Sequence, residues 1–154
     1  MKVSFLTNKW IWVYNFIYRD GLFSECFFGD DRMCKIVSID IGGKKVNIAD
    51  IKVDYILNIA DAASKCSYID KVVLFGSSIE DRCTDQSDID IAVFGNVSKN
   101  RCLTSKKYKE FTSQLYRYND HAQAYDILYF STNQLKDNFI MEEINKGEVI
   151  YEKQ

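Results

Sequence analysis

The chain has 154 residues, 47% of them hydrophobic, and sets 20 lysines and arginines against 22 acidic side chains for a formal net charge of −2. Such a chain can bury a sizeable core as one globular unit, and its balance excludes any general need for nucleic acid or an acidic membrane as counter-charge. No apolar run approaches the ~20 residues that span a bilayer and no leader is evident at Met1, so no membrane partner is expected.

Five cysteines (Cys26, Cys34, Cys66, Cys83 and Cys102) form no CxxC pair and stand apart from the lone His121. That spacing argues against zinc and for reduced thiols in a cytoplasmic protein, with His121 as a loop residue. In chain order, "KWIWVYNFIY" at 9–18 is apolar on every face. It suits a buried helix capped by Thr7 or Asn8 and closed at Asp20-Gly21, and it suits a strand as well. So dense an aromatic run fits a core, or an interface through which the chain forms homo-oligomers, better than a base-stacking surface. "KIVSIDIGGKKVNI" alternates about Gly42-Gly43 and predicts a hairpin.

Asp50 stands where an N-cap would, ahead of a helix whose Ile51, Tyr55, Ile56, Ile59 and Ala63 share one face. "KVVLFG" and "DIAVFG" follow as strands, then a helix over about 104–118 with Tyr108, Phe111, Leu115 and Tyr118 aligned. "AYDILYF" is the next strand, Ser131 or Thr132 caps a helix reaching about Asn145, and Gly147 precedes a strand "EVIYE". The order predicts an α+β fold, a mixed sheet of about four to five strands with helices packed against it. Residues 1–49, a helix plus hairpin, read as an N-terminal extension to a domain at 50–154.

Asp88 and Asp90 bracket Ile89 at the entrance to an apolar strand. Residues i and i+2 of a strand face the same way, so the two carboxylates repel at short range unless a cation lies between them. Hard oxygen donors of this kind select Mg²⁺ or Mn²⁺, while Ile89, Ile91 and Val93 anchor the opposite face in the core. Such ions complete their coordination with water and phosphate oxygens. Gly76-Ser77, a turn leaving a strand and opening a short helix at 78–81, offers backbone N–H groups for phosphate. Asp126, on a strand of its own, reaches the same end of the sheet if that strand lies beside "DIAVF"; a solvent-facing edge position is the plainer alternative.

Gly76-Ser77, ten intervening residues and Asp88-Ile89-Asp90 make the pattern GS-x10-DxD. With the helix before the first strand, the later strand aspartate and the closing "INKGEVIYE", the chain over residues 50–152 resembles the DNA polymerase β-like nucleotidyltransferase superfamily, in particular its minimal members from bacteria and archaea. Residues 1–49 lie outside the resemblance. It implies that 50–154 is a nucleotidyltransferase domain. Such a domain moves a nucleoside monophosphate, AMP from ATP being the expected case, to an acceptor hydroxyl with release of pyrophosphate and the help of two Mg²⁺ ions, Mn²⁺ serving as a substitute. Carried over, Asp88 and Asp90 are metal ligands, Asp126 is the third carboxylate that also activates the acceptor, and Gly76 with Ser77 binds the triphosphate.

The chain departs from the family in placing Ser78-Ile79-Glu80-Asp81 where small and basic residues are usual, leaving Arg82 as the nearest positive charge. Arg82 either serves the nucleotide from that shifted position or pairs with a neighbouring carboxylate. Lys99, Arg101, Lys106, Lys107 and Lys109 read as a solvated face, with triphosphate or RNA as the functional alternative. The acceptor classes open to the family are a protein side chain, as in antitoxins that adenylylate a HEPN-type toxin partner, an RNA end, or a small hydroxylated antibiotic. A chain this short leaves little room for an acceptor-binding domain, which favours a protein or RNA. The competing reading is a non-catalytic, antitoxin-like module that neutralises its partner by contact; three clustered carboxylates kept without a metal would cost it stability.

Overall fold

A computed structural model describes residues 34–132 and 139–154. The expected element at 9–18, its caps and its end, and Cys26 lie outside the described residues. A hairpin comes first, β1 (Ile36–Ile41) and β2 (Lys44–Ala49), joined by Gly42 and Gly43 at φ 60° and 83°. Two successive positive φ values make the turn that matches strand twist, and glycine adopts them without a steric cost. The hairpin's inner residues, Val46 and Ile48, are buried in the main core, with Val37, Ile39 and Ile41 packed against it.

After a short 3₁₀ turn at Asp50–Lys52 come α1 (Val53–Lys65), β3 (Ile69–Phe75), a second 3₁₀ turn at Gly76–Ile79, and β4 (Ile89–Gly95). Two helices, α2 (Lys99–Thr104) and α3 (Lys106–Arg117), lead to β5 (Tyr125–Ser131); α4 (Phe139–Asn145) and β6 (Glu148–Glu152) close the chain. The strands form a four-stranded sheet in the order β5-β4-β3-β6, with β4 and β5 parallel and the other pairs antiparallel. This is the mixed α+β architecture expected from the sequence, with β1 and β2 as a separate two-stranded sheet.

Alternation divides the sheet's two faces. Ile89, Ile91 and Val93 of β4 meet Ile56 and Ile59 of α1 and Tyr108, Phe111 and Leu115 of α3 in the larger core, while Ala92 and Phe94 meet Val73, Phe75 and Ile144 of α4 on the other side. Burying each such branched side chain contributes roughly 1.5–3 kcal/mol, enough together to hold in place a strand that also carries a carboxylate.

Two local expectations change, and a third falls partly outside the described residues. Asp50 does not cap α1: its Oδ1 accepts from the backbone N–H of Lys35 and Ile51, which ties the hairpin's base, and α1 begins three residues later. The helix expected over about 104–118 is α3, with Ser105, extended at ψ 148°, as its N-cap, the hydroxyl oxygen accepting from the Tyr108 N–H; the short α2 ahead of it was not expected. Tyr118 lies past the end of α3 and is exposed. Ser131 is the last residue of β5, and the Thr132 hydroxyl donates to the Gly95 carbonyl; residues 133–138, where the closing helix was to start, lie outside the described residues.

The core is lined with weak acids that burial keeps neutral. Cys102 is pushed up to about 11 from 9.0, and the phenols of Tyr108, Tyr125 and Tyr129 are raised well above 10.0, in each case chiefly by desolvation. A group whose pKa is higher folded than unfolded adds stability below its unfolded value and loses it as pH rises toward the folded one. The melting temperature therefore falls steadily above pH 9, the ordinary value of the Cys102 thiol, and Cys102→Ala shallows that decline between pH 9 and about 11, as calorimetry across that range will show.

Candidate active site

β3 and β4 run antiparallel with Phe75 opposite Asp90, and β4 and β5 run parallel with Asp90 opposite Asp126. The end of β3 and the beginnings of β4 and β5 thus meet at one corner of the sheet, and parallel register turns the Asp90 and Asp126 side chains to one face. Asp88 lies two residues before Asp90, just ahead of the strand. The condition set for Asp126 is met, since its strand neighbours "DIAVF" at the same level, and so is the plainer alternative, since β5 is an edge strand and Asp126 is exposed. Asp90 is half-buried, while Asp88 and Asp126 are exposed.

Gly76 closes the corner from the β3 side. It has φ 70°, and a Cβ at this position would overlap the Asp90 carboxylate, so the backbone lies directly against that group. Only a residue without a side chain allows both the turn and the approach. The turn that follows is a 3₁₀ helix over Gly76–Ile79, two residues earlier than the short helix expected at 78–81, with the Glu80 N–H bonded to the Ser77 carbonyl. Ser77 is half-buried; the Ser78 hydroxyl is fully buried and has no hydrogen-bond partner.

The electrostatics are those of an under-compensated acidic corner. The Asp90 carboxyl is raised above the ordinary carboxylate range, first by desolvation and then by the Asp126 and Asp88 carboxylates, with Arg82 acting in the opposite sense. Arg82 is exposed and donates from Nε to Glu80, the pairing that the sequence left open, while its charge still reaches Asp90. Two members of the basic cluster from Lys99 to Lys109 lie elsewhere. Arg101 and Lys107 lie over the Tyr68 ring, and Lys107 donates to Ser67 at 2.6 Å, where Ile69 pairs with Gly95 at the opposite end of β3 and β4.

Among the described residues no group of three or more His, Cys, Asp and Glu side chains forms a ready-made ion site. Mg²⁺ does not need one, since it binds through one or two carboxylates and completes its shell with water and substrate phosphates. The register pair Asp90–Asp126, with Asp90 disfavoured as an anion first by burial and then by its acidic neighbours and abutting a glycine turn, fits such an ion. Among the described residues no helix is long and apolar enough to cross a membrane.

Sequence patterns did not point to Lys52 and Gln123. Lys52 is only 1% exposed and donates to the carbonyls of Asp85 at 3.2 Å and Ser87 at 2.8 Å and to Gln123 Oε1 at 2.6 Å. A lysine beside a helix start reads as surface, and no spacing in the sequence signals the loop that wraps it. β5 is entered through Asn119, Asp120 and His121, all at positive φ, with the Asn119 amide donating to the Tyr55 hydroxyl at 2.6 Å. Asn, Asp and His are among the residues that best tolerate that conformation. His121 is an exposed turn residue, as expected.

No curated protein matches the sequence at a significant level. The family model described as polymerase beta, nucleotidyltransferase, matches residues 57–154, from α1 through the glycine turn and all three aspartates to β6. That match spans well over half of the chain and contains the whole corner built by β3, β4 and β5: the chain belongs to the polymerase β nucleotidyltransferase family.

Proposed function

We propose that the protein transfers a nucleoside monophosphate, AMP from ATP in the favoured case, to a hydroxyl of a protein or RNA and releases pyrophosphate. The observation that carries this reading is the register pair Asp90–Asp126 set against the Gly76 turn. In it Gly76 and Ser77 cradle the triphosphate by their backbone N–H groups, and Arg82 adds positive charge from the rim. Asp88, Asp90 and Asp126 would hold two divalent cations, Mg²⁺ or Mn²⁺, which when bound lower the acceptor's pKa and offset charge on the departing pyrophosphate. Asp126 orients the acceptor hydroxyl and takes up its proton. The acceptor oxygen bonds to the α-phosphorus as the bond to the bridging oxygen breaks, and no covalent enzyme intermediate is needed.

The openness of the corner favours a macromolecular acceptor. Asp88 and Asp126 are exposed, whereas two surface clefts of about 610 and 550 Å³ lie elsewhere, one beside Ile41, Ala60 and Tyr151 and the other beside Asn58, Gln114 and Arg117. A small antibiotic would need enclosure that an edge strand does not supply. A cytoplasmic partner chain, such as a HEPN-type toxin, suits an acceptor that brings its own binding surface. Incubation of the full chain with Mg²⁺, each of the four α-³²P nucleoside triphosphates and cell extract should label a protein or RNA band, strongest with ATP. Label in neither class, with wild-type protein that is folded, would sink the reading.

A further inference from the structure

Lys52 is the most deeply buried charged side chain among the described residues, and it has no carboxylate within hydrogen-bonding distance. Its three acceptors exactly match the three N–H bonds of an ammonium group, so the charge is solvated by oxygens of the protein instead of water. Burying a lysine without a hydrogen-bonded carboxylate is costly, and desolvation does lower its pKa, opposed by the nearby Cys83 thiol and the Asp85 and Asp88 carboxylates. A methionine would fill the same space but leave those three oxygens without their donor, so what the ammonium grips is the informative part.

It grips two loops at once. The Ser87 carbonyl, one residue before Asp88, accepts from Lys52 and also from Gln123 Nε2 at 3.0 Å. Gln123 is 5% exposed, and the same Nε2 donates to the Ala124 carbonyl at 2.7 Å, two residues before Asp126. The Ala124 carbonyl in turn accepts from the Ile89 N–H at 3.0 Å. One buried network therefore ties the entrance of β4 to the entrance of β5, and Lys52 reaches it from the start of α1, outside the segment matched by the family model.

We infer that Lys52 and Gln123 are positioning residues that fix Asp88 relative to Asp126, so that the carboxylates of two different strands hold the spacing that nucleotidyl transfer requires. The inference rests on the proposed function. Neither side chain need touch substrate. Their effect runs through the carbonyls of Ser87 and Ala124, which set the direction in which each chain enters its strand.

The test uses full-length wild type, Lys52→Met and, should that variant fold poorly, Gln123→Met, which leaves the lysine in place and cuts the link to β5. Amide hydrogen exchange should quicken at residues 85–89 and 123–126 in both variants while the centre of β3 stays protected. Binding of Mn²⁺ with a nonhydrolysable ATP analogue, followed by electron paramagnetic resonance, should weaken by about 10- to 100-fold, the range seen when groups orienting metal ligands are lost. The kcat for transfer should fall by a similar factor, and KM for the metal-bound nucleotide should rise in step with the weakened Mn²⁺ binding. A purely structural lysine would lower the melting temperature and leave kcat per folded molecule unchanged. Unaltered exchange in both segments overturns the inference, as does quickened exchange with wild-type Mn²⁺ binding and kcat. A wild-type chain that neither binds Mn²⁺ with the analogue nor transfers label overturns the functional reading itself, and is recognised without any substitution.

Discussion

Asp90→Asn should abolish nucleotidyl transfer, by about 10³-fold or more, while leaving the metal-free protein at least as stable as wild type. The size follows from withdrawing several kcal/mol of charge stabilisation at about 1.4 kcal/mol per tenfold in rate. The direction of the stability change follows from the corner itself. Asp90 is half-buried, faces Asp126 across the register and has Asp88 two residues away, so burial and both neighbours disfavour its ionised form. An amide of the same shape removes the repulsion and keeps the packing of Ala92 and Phe94 on the same face. Calorimetry with and without Mg²⁺ and a nonhydrolysable nucleotide separates the two effects: wild type should gain melting temperature on addition, and the variant should not. Full transfer activity in Asp90→Asn would remove Asp90 from the chemistry, and wild-type neutralisation of a partner by that variant would favour the contact-only module.

What the sequence made legible was local. Ile89, Ile91 and Val93 alternate with Asp90 and Ala92, and that period of two alone placed the carboxylate on one face and the anchors on the other. Ile56, Ile59 and Ala63 gave away the inner face of α1 in the same way. The spacing of Gly76-Ser77 to Asp88 and Asp90 was readable only through the resemblance; that Asp90 returns against Gly76 comes from the antiparallel pairing of β3 and β4. What was hidden depends on contacts distant in sequence. Lys52 meets carbonyls 33 and 35 positions on and an amide 71 positions on, and nothing within a helix turn of it hints at them. Tyr108, Phe111 and Leu115 marked the buried face of α3, whereas α2, six residues long, carries too short a pattern to be read. The basic residues from Lys99 onward looked available to a triphosphate until the antiparallel pairing of β3 and β4 carried Arg101 and Lys107 to the other end of the sheet.

Gly76→Ala should cost both stability and activity, and a second glycine tells the two causes apart. At φ 70° any Cβ meets its own backbone, a penalty of roughly 1–2 kcal/mol, and here the Cβ also overlaps Asp90 Oδ2. Asp90 cannot retreat as a residue, because β4 is paired on both sides, with β3 at Phe75 and with β5 at Asp126. Its carboxylate must rotate instead, away from the turn proposed to cradle phosphate and out of line with Asp126. Gly42 in the hairpin has φ 60° and nothing within 4 Å of the same added carbon. Gly42→Ala therefore carries the backbone strain without the collision and should lose about 1–2 kcal/mol with transfer intact. Gly76→Ala should lose at least as much stability and, measured below its melting temperature, most of its transfer activity as well. Equal activity in the two variants would mean that the Asp90 carboxylate tolerates displacement, and the close approach of the glycine turn would then be a feature of packing with no part in catalysis.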